Sequence, residues 1–149
     1  MRFSIQLSKF HRYSVYIVWC VLSISGLYFF YVQDWQMQEP NQWSLWSLKT
    51  HGIFAAAMIF LIGSIVPVHI KLSLKIKRNV SSGLTLLTIM IILILTGVGL
   101  YYSPEEWHEL VKWLHIGIGI FAILLLPLHI VIGYLSRFNQ KQKTKQNIV

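Results

Sequence analysis

Four long apolar segments constrain the fold of this 149-residue chain more than any other feature of its sequence. They run approximately over residues 13–32, 48–70, 82–102 and 107–135. An α-helix of about 20 residues crosses a hydrocarbon core of about 30 Å, so each segment is long enough to span a membrane. With 55% hydrophobic and 12% charged residues, the composition also excludes an ordinary soluble domain. We therefore predict an all-α, integral membrane four-helix bundle.

Charged residues are divided unequally between the connections of the four predicted helices. If the N-terminus is cytoplasmic, only Lys49 and Lys112 of the 13 basic residues fall on the outer side. All of the acidic residues lie on that side: Asp34, Glu39, Glu105, Glu106 and Glu109. The positive-inside rule then places both termini in the cytoplasm. Because topology and anionic lipid explain short basic clusters beside membrane helices, no nucleic-acid partner is predicted.

The rest of the chain contains few features of domain organisation. We predict one membrane domain over residues 1–137 and a basic, disordered cytoplasmic tail over residues 138–149. The connection over residues 33–47 is predicted to be an outer loop with aromatic residues that anchor it at the membrane interface. Its tryptophans are Trp35, Trp43 and Trp46. The single cysteine, Cys20, has no partner for an internal disulfide and is interpreted as a packing residue.

Two histidines, His115 and His129, lie 14 residues apart in the last apolar segment. At 100° per residue this interval returns to within about 40° of the same helix face, with an axial rise of roughly 21 Å. Ionisable residues inside a bilayer are costly and rare, so they are candidates for function. One helix therefore offers a possible ligand near each membrane surface.

Candidate partners of these two histidines are histidines that we predict to lie at the same depth in the membrane. His51 and His115 both follow the predicted outer start of a helix by a few residues, so they form one candidate pair. On the inner side the candidates are His129, His69 and His11. His69 is favoured over His11 if the second and fourth helices are repeats, because Pro-Val-His69 then matches Pro-Leu-His129. The interval from His51 to His69 argues against this, since it is about 27 Å along a helix.

Paired histidines in a helical bundle suit haem better than zinc. Haem iron takes two axial ligands along one line, which facing helices can supply, whereas zinc requires four ligands that converge on one point. Small residues near the histidines would let a bulky planar ring approach, although helix packing also explains them. These glycines are Gly52, Gly63, Gly97, Gly99, Gly117, Gly119 and Gly133. His108 is predicted to be a solvated residue at the outer rim.

The ordered motifs of the four helices resemble those of a known family. They are His11, then Ser-Ile-Ser-Gly26-Leu-Tyr-Phe-Phe, Lys-Thr-His51-Gly, Leu-Thr-Gly97-Val-Gly-Leu-Tyr-Tyr, and His115 with His129. Over roughly residues 9–137 the chain resembles the di-haem cytochrome b subunits of membrane formate dehydrogenases and nickel-iron hydrogenases, and the related small bacterial di-haem b-type cytochromes.

This resemblance implies a function and a set of ligands. It implies two non-covalent haem b groups, with His51 and His115 as axial ligands of the outer haem and His11 and His129 as those of the inner one. It also implies a bacterial inner membrane protein that passes electrons between a periplasmic or membrane-anchored redox partner and quinone. Another polypeptide would then oxidise the substrate. His69 remains an alternative inner ligand or a quinone-site residue.

Two other functions remain open at the level of sequence. The chain could be a stand-alone cytochrome that oxidises a small reductant such as superoxide, with quinone as the acceptor. It could also be a non-redox transporter or assembly protein that uses its histidines as a proton or metal relay.

Overall fold

The computed structural model describes residues 8–76 and 80–146, which form long helices joined by short connections. The first helix, α1, covers Lys9–Phe30 and continues into a π-helical turn over Tyr31–Trp35. It is followed by α2 (Gln42–Ile76), α3 (Val80–Tyr102) and α4 (Glu105–Gln146). No β-strand occurs within the two described ranges. The predicted all-α class is therefore confirmed.

Four helices of the described residues are long and apolar enough to cross a membrane. The candidate spans are Lys9–Trp35, Gln42–Pro67, Val80–Tyr102 and Glu105–Ser136. Large apolar side chains along them are exposed, for example Ile24 at 68% and Leu124 at 70% of their surface. Exposure of this kind suits contact with lipid, because lipid tails are as apolar as these side chains.

Helix ends differ from those predicted, because hydropathy locates the lipid-facing part of a helix and not its termini. The helix α2 begins at Gln42, so Trp43 and Trp46 belong to its first turns and not to a loop. The helix α4 continues through Gln146, past the end of its apolar span at Ser136, where the sequence predicts disorder from residue 138. That extension contains no glycine or proline, and its Gln, Lys and Arg residues favour helix.

A reciprocal pair of hydrogen bonds fixes the start of α2. The backbone N–H of Ser44 donates to Asn41 Oδ1 at 2.9 Å, and the backbone N–H of Asn41 donates to Ser44 Oγ at 3.1 Å. This arrangement is a capping box, which satisfies backbone donors that the first turn of a helix leaves without partners. Ser44 is fully buried, and its hydroxyl also accepts from Gln33 Nε2 at 3.4 Å. The cap therefore joins α2 to the turn that ends α1.

We expect Asn41→Ala to lower the free energy of unfolding by about 0.5–2 kcal/mol, the usual effect of removing an N-cap side chain. Chemical denaturation of the protein in detergent micelles measures this quantity. Asn41→Asp is the matched control, because Asp caps helices about as well as Asn. An equal loss of stability in both variants would contradict the assigned role of the cap.

The chain consists of two compact units, Met1–Leu72 and Ser73–Val149. In the first unit, α1 and α2 run antiparallel, since Ser64 lies beside His11 and His51 beside Leu22. In the second unit α3 and α4 pack closely against one another. Each helix pair places two of the predicted histidines against a neighbouring helix.

Candidate functional site

His51 in the first unit is oriented by a backbone carbonyl of α1. Its Nδ1 lies 3.0 Å from the carbonyl oxygen of Leu22. A carbonyl oxygen only accepts hydrogen bonds, so Nδ1 carries the proton and donates it. A neutral imidazole protonated on Nδ1 has its lone pair on Nε2, which makes Nε2 the nitrogen able to bind a metal ion. Histidine ligands of metals commonly have this arrangement, with the second ring nitrogen donating to a carbonyl or carboxylate.

Gly26 of α1 makes the close approach of this imidazole possible. A methyl group on Gly26 would lie 2.8 Å from Cε1 of His51, 2.9 Å from its Nδ1 and 3.8 Å from its Nε2. The Nδ1–Cε1 edge of the ring therefore lies against the backbone of α1, with Nε2 farther away. Ser47, one turn before His51, donates its hydroxyl to the carbonyl of Ser25 at 2.7 Å and fixes α2 on α1 at this level.

His115 in the second unit is oriented in the same way by a hydroxyl of α3. Its Nδ1 lies 2.9 Å from Oγ1 of Thr96, and that hydroxyl donates to the carbonyl of Ile92 at 2.9 Å. The carbonyl uses the single hydroxyl proton, so Thr96 Oγ1 accepts from the Nδ1–H of His115. The lone pair of this imidazole is therefore also on Nε2. A methyl group on Gly97 would lie 3.5 Å from Cε1 of the ring, which is an ordinary contact distance.

His129 contacts a hydroxyl residue of α3 at the other end of the α3–α4 pair. Its Nδ1 lies 3.2 Å from Oγ of Ser82, and its Cε1 would lie 3.6 Å from a methyl group on Gly83. Both histidines of α4 thus pack on a hydroxyl residue followed by glycine. The dipeptides Ser82-Gly83 and Thr96-Gly97 are 14 residues apart, the same interval as the two histidines.

His11 uses the opposite ring nitrogen. Its Nε2 lies 2.9 Å from Oγ of Ser64 on α2, and the hydroxyl of Ser64 donates to the carbonyl of Leu61 at 2.7 Å. Ser64 therefore accepts from Nε2–H, and the lone pair of His11 is on Nδ1. The backbone N–H of His11 donates to Ser8 Oγ at 3.2 Å, the cap of α1. Binding of iron through Nε2 would require this ring to release Ser64.

The remaining histidines are His69 and His108. The backbone of His69 belongs to α2, but its side chain lies outside the described residues. His108 lies on the first turn of α4 and is exposed.

The glycines serve several purposes. Of the predicted set, Gly97 contacts a histidine. Gly99 and Gly119 instead face Val111 and Leu93 across the α3–α4 pair, which is helix packing. Methyl groups on Gly52, Gly63 and Gly117 would meet no atom within 4 Å. Gly83 was not among the predicted glycines, although it follows Ser82 in the chain as Gly97 follows Thr96.

These side chains fit the chemistry of haem binding. His51 and His115 each hold the proton on Nδ1 and the lone pair on Nε2, which is the state in which imidazole ligates haem iron. A neutral imidazole in this state places no charge inside an apolar span. Glycines on the neighbouring helix bring the imidazoles close to its backbone. An imidazole fixed in this way is suited to supply one axial ligand to a planar metal cofactor.

The described residues define an all-helical protein with four helices able to span a membrane and with histidines fixed against neighbouring helices. Its sequence matches no family model and no curated protein, and its structure matches no solved structure.

Proposed function

We propose that this protein transfers electrons across a bacterial inner membrane through two non-covalent b-type haems, between an outer redox partner and the quinone pool. The observation that supports this proposal best is the shared ring state of His51 and His115. Each donates its Nδ1–H to an oxygen of the preceding helix, at 3.0 Å and 2.9 Å. The resemblance of the sequence motifs to di-haem cytochrome b subunits agrees with it.

The proposed axial pairs combine one histidine from each helix pair. His51 and His115 would hold the outer haem, and His11 and His129 the inner one, with His69 as the alternative inner ligand. When bound, haem supplies a one-electron couple at its iron, and histidine on both axial positions suits electron transfer rather than oxygen chemistry. The two histidines of α4 are about 21 Å apart along the helix, so they serve opposite leaflets.

The cysteine content and the exposed tryptophans bear on the role of a partner subunit. The sequence has one cysteine, Cys20, whereas iron–sulphur clusters are held by several cysteine thiolates. A cluster that delivers electrons would therefore belong to a partner subunit, and substrate oxidation with it. Exposed tryptophans at the predicted outer end, Trp43 and Trp46, would contact lipid headgroups or that partner.

A pyridine haemochrome assay with protein quantitation tests the proposal. We expect about two haem b groups per chain, one for each pair of axial histidines. A ratio near one would remove one of the two sites. A ratio near zero would overturn the proposal and leave the histidines to a non-redox relay.

Two histidines of α4 provide a matched control for this assay. His115→Ala is expected to remove one haem, because it deletes a proposed axial ligand. His108→Ala should retain both, since His108 is exposed on the first turn of the same helix. Equal haem content in the two variants would contradict the ligand assignment.

A further inference from the structure

We propose that Thr96 and Ser82 are positioning residues that set the reduction potentials of the two haems bound by α4, and that Thr96 has the larger effect. This inference rests on the proposed function. Each would act through the histidine that it contacts. Their hydroxyl oxygens lie 2.9 Å and 3.2 Å from Nδ1 of His115 and His129, respectively.

The hydrogen bonds of Thr96 form a short chain with a defined direction. The hydroxyl proton is directed at the carbonyl of Ile92, 2.9 Å away, with that of Leu93 at 3.2 Å, while the hydroxyl oxygen accepts from His115. A hydroxyl that donates to a carbonyl becomes a better acceptor, because successive hydrogen bonds polarise one another. The Nδ1–H of His115 is therefore drawn towards Thr96, and the imidazole becomes a more basic ligand.

A more basic axial ligand stabilises oxidised iron more than reduced iron. Hydrogen bonding beyond the direct ligands is one of the means by which a protein tunes the potential of haem. The bond of Thr96 should therefore lower the potential of the haem that His115 binds. Ser82 lies farther from its histidine, at 3.2 Å against 2.9 Å, so we expect it to have the smaller effect on the potential.

The α3–α4 pair allows these two effects to be tested by substitution. Each hydroxyl residue precedes a glycine, Gly97 or Gly83, that allows the imidazole to pack on α3. The oxygen of the hydroxyl can thus be removed while the packing surface stays. The hydrogen-bond acceptor of His51 cannot be removed in this way, because it is the backbone carbonyl of Leu22, which no side-chain substitution deletes.

Redox titration of the purified, haem-loaded full chain, followed by optical absorption, tests the proposal. Thr96→Val keeps the shape of the side chain and removes the hydroxyl, whereas Thr96→Ser keeps the hydroxyl. In Thr96→Val we expect the equilibrium constant for reduction of one haem to rise about tenfold, which is about 59 mV for a one-electron couple. The second haem should keep its potential, and Thr96→Ser should keep both. The low-spin ferric electron paramagnetic resonance signal of the affected haem should shift with its potential.

Several outcomes would overturn the proposal. Unchanged potentials in Thr96→Val with both haems bound would show that the hydroxyl does not tune the site. Equal shifts in Thr96→Val and Thr96→Ser would assign the effect to packing. Ser82→Ala should give a smaller shift in the other haem, and a larger one would reverse the proposed order. If Thr96→Val does not fold, Thr96→Ala carries the same test. Absence of haem from the unsubstituted protein would instead refute the proposed function.

Discussion

Gly26→Ala is expected to remove one of the two proposed haems, that of the His51 site. The new methyl group would lie 2.8 Å from Cε1 and 2.9 Å from Nδ1 of His51. These distances are shorter than those of non-bonded contacts of a Cβ atom. The imidazole would have to move, which breaks its 3.0 Å hydrogen bond to the carbonyl of Leu22. Alanine favours a helix interior over glycine by about 1 kcal/mol, so a weakened α1 would not explain the loss. Haem content per chain, measured by the haemochrome assay, checks this prediction.

Gly97→Ala is the matched control for Gly26→Ala. The same methyl group on α3 would lie 3.5 Å from Cε1 of His115, an ordinary van der Waals distance. This variant should therefore retain both haems and the potentials of the unsubstituted protein. Full haem content in Gly26→Ala, or an equal loss in Gly97→Ala, would show that contact between glycine and imidazole does not control ligand placement.

His11→Ala is expected to abolish binding of the inner haem, whereas His69→Ala should retain both haems. His11 is partly buried, and its Nε2 lies 2.9 Å from Oγ of Ser64 on α2, a contact that iron binding through Nε2 would replace. The interval from His51 to His69 is about 27 Å along a helix, one turn more than the roughly 21 Å between His115 and His129. A ligand pair at one level of the membrane therefore combines His129 with His11 more readily than with His69. Haem stoichiometry and the number of components in a redox titration measure the result.

His129→Ala is the positive control for this comparison, because it removes the ligand shared by both assignments. It should lose the same haem as His11→Ala and leave the same remaining potential. Loss of the inner haem in His69→Ala but not in His11→Ala would assign the inner axial position to His69.

The helices themselves could be predicted because their signal is local. Twenty or more consecutive apolar residues identify a membrane helix without knowledge of its neighbours. Helix ends could not be predicted in this way. The helix α2 begins at Gln42, six residues before the predicted apolar run, because of hydrogen bonds between Asn41 and Ser44. The helix α4 continues where hydropathy has already fallen.

The histidines could be predicted from residue type, but their partners could not. Leu22 takes part through its carbonyl, which every residue possesses, so no sequence pattern distinguishes it. Glycines next to histidines in the chain, such as Gly52, face open space, whereas Gly26 and Gly83 reach histidines from the neighbouring helix. Contacts across a helix pair depend on its register. The repeat of Ser82-Gly83 and Thr96-Gly97 was the available signal for that register in the second unit.

The matched intervals on α3 and α4 also determine how the protein responds to its membrane. His115 and His129 are held at two points of α3, so a slip of one turn, about 5.4 Å, would break both hydrogen bonds together. The two hydrogen bonds consequently favour one register of the pair. Bilayers of different thickness are accommodated mainly by changes in helix tilt. The distance between the two imidazoles of α4 should therefore stay constant when the thickness of the surrounding lipid changes.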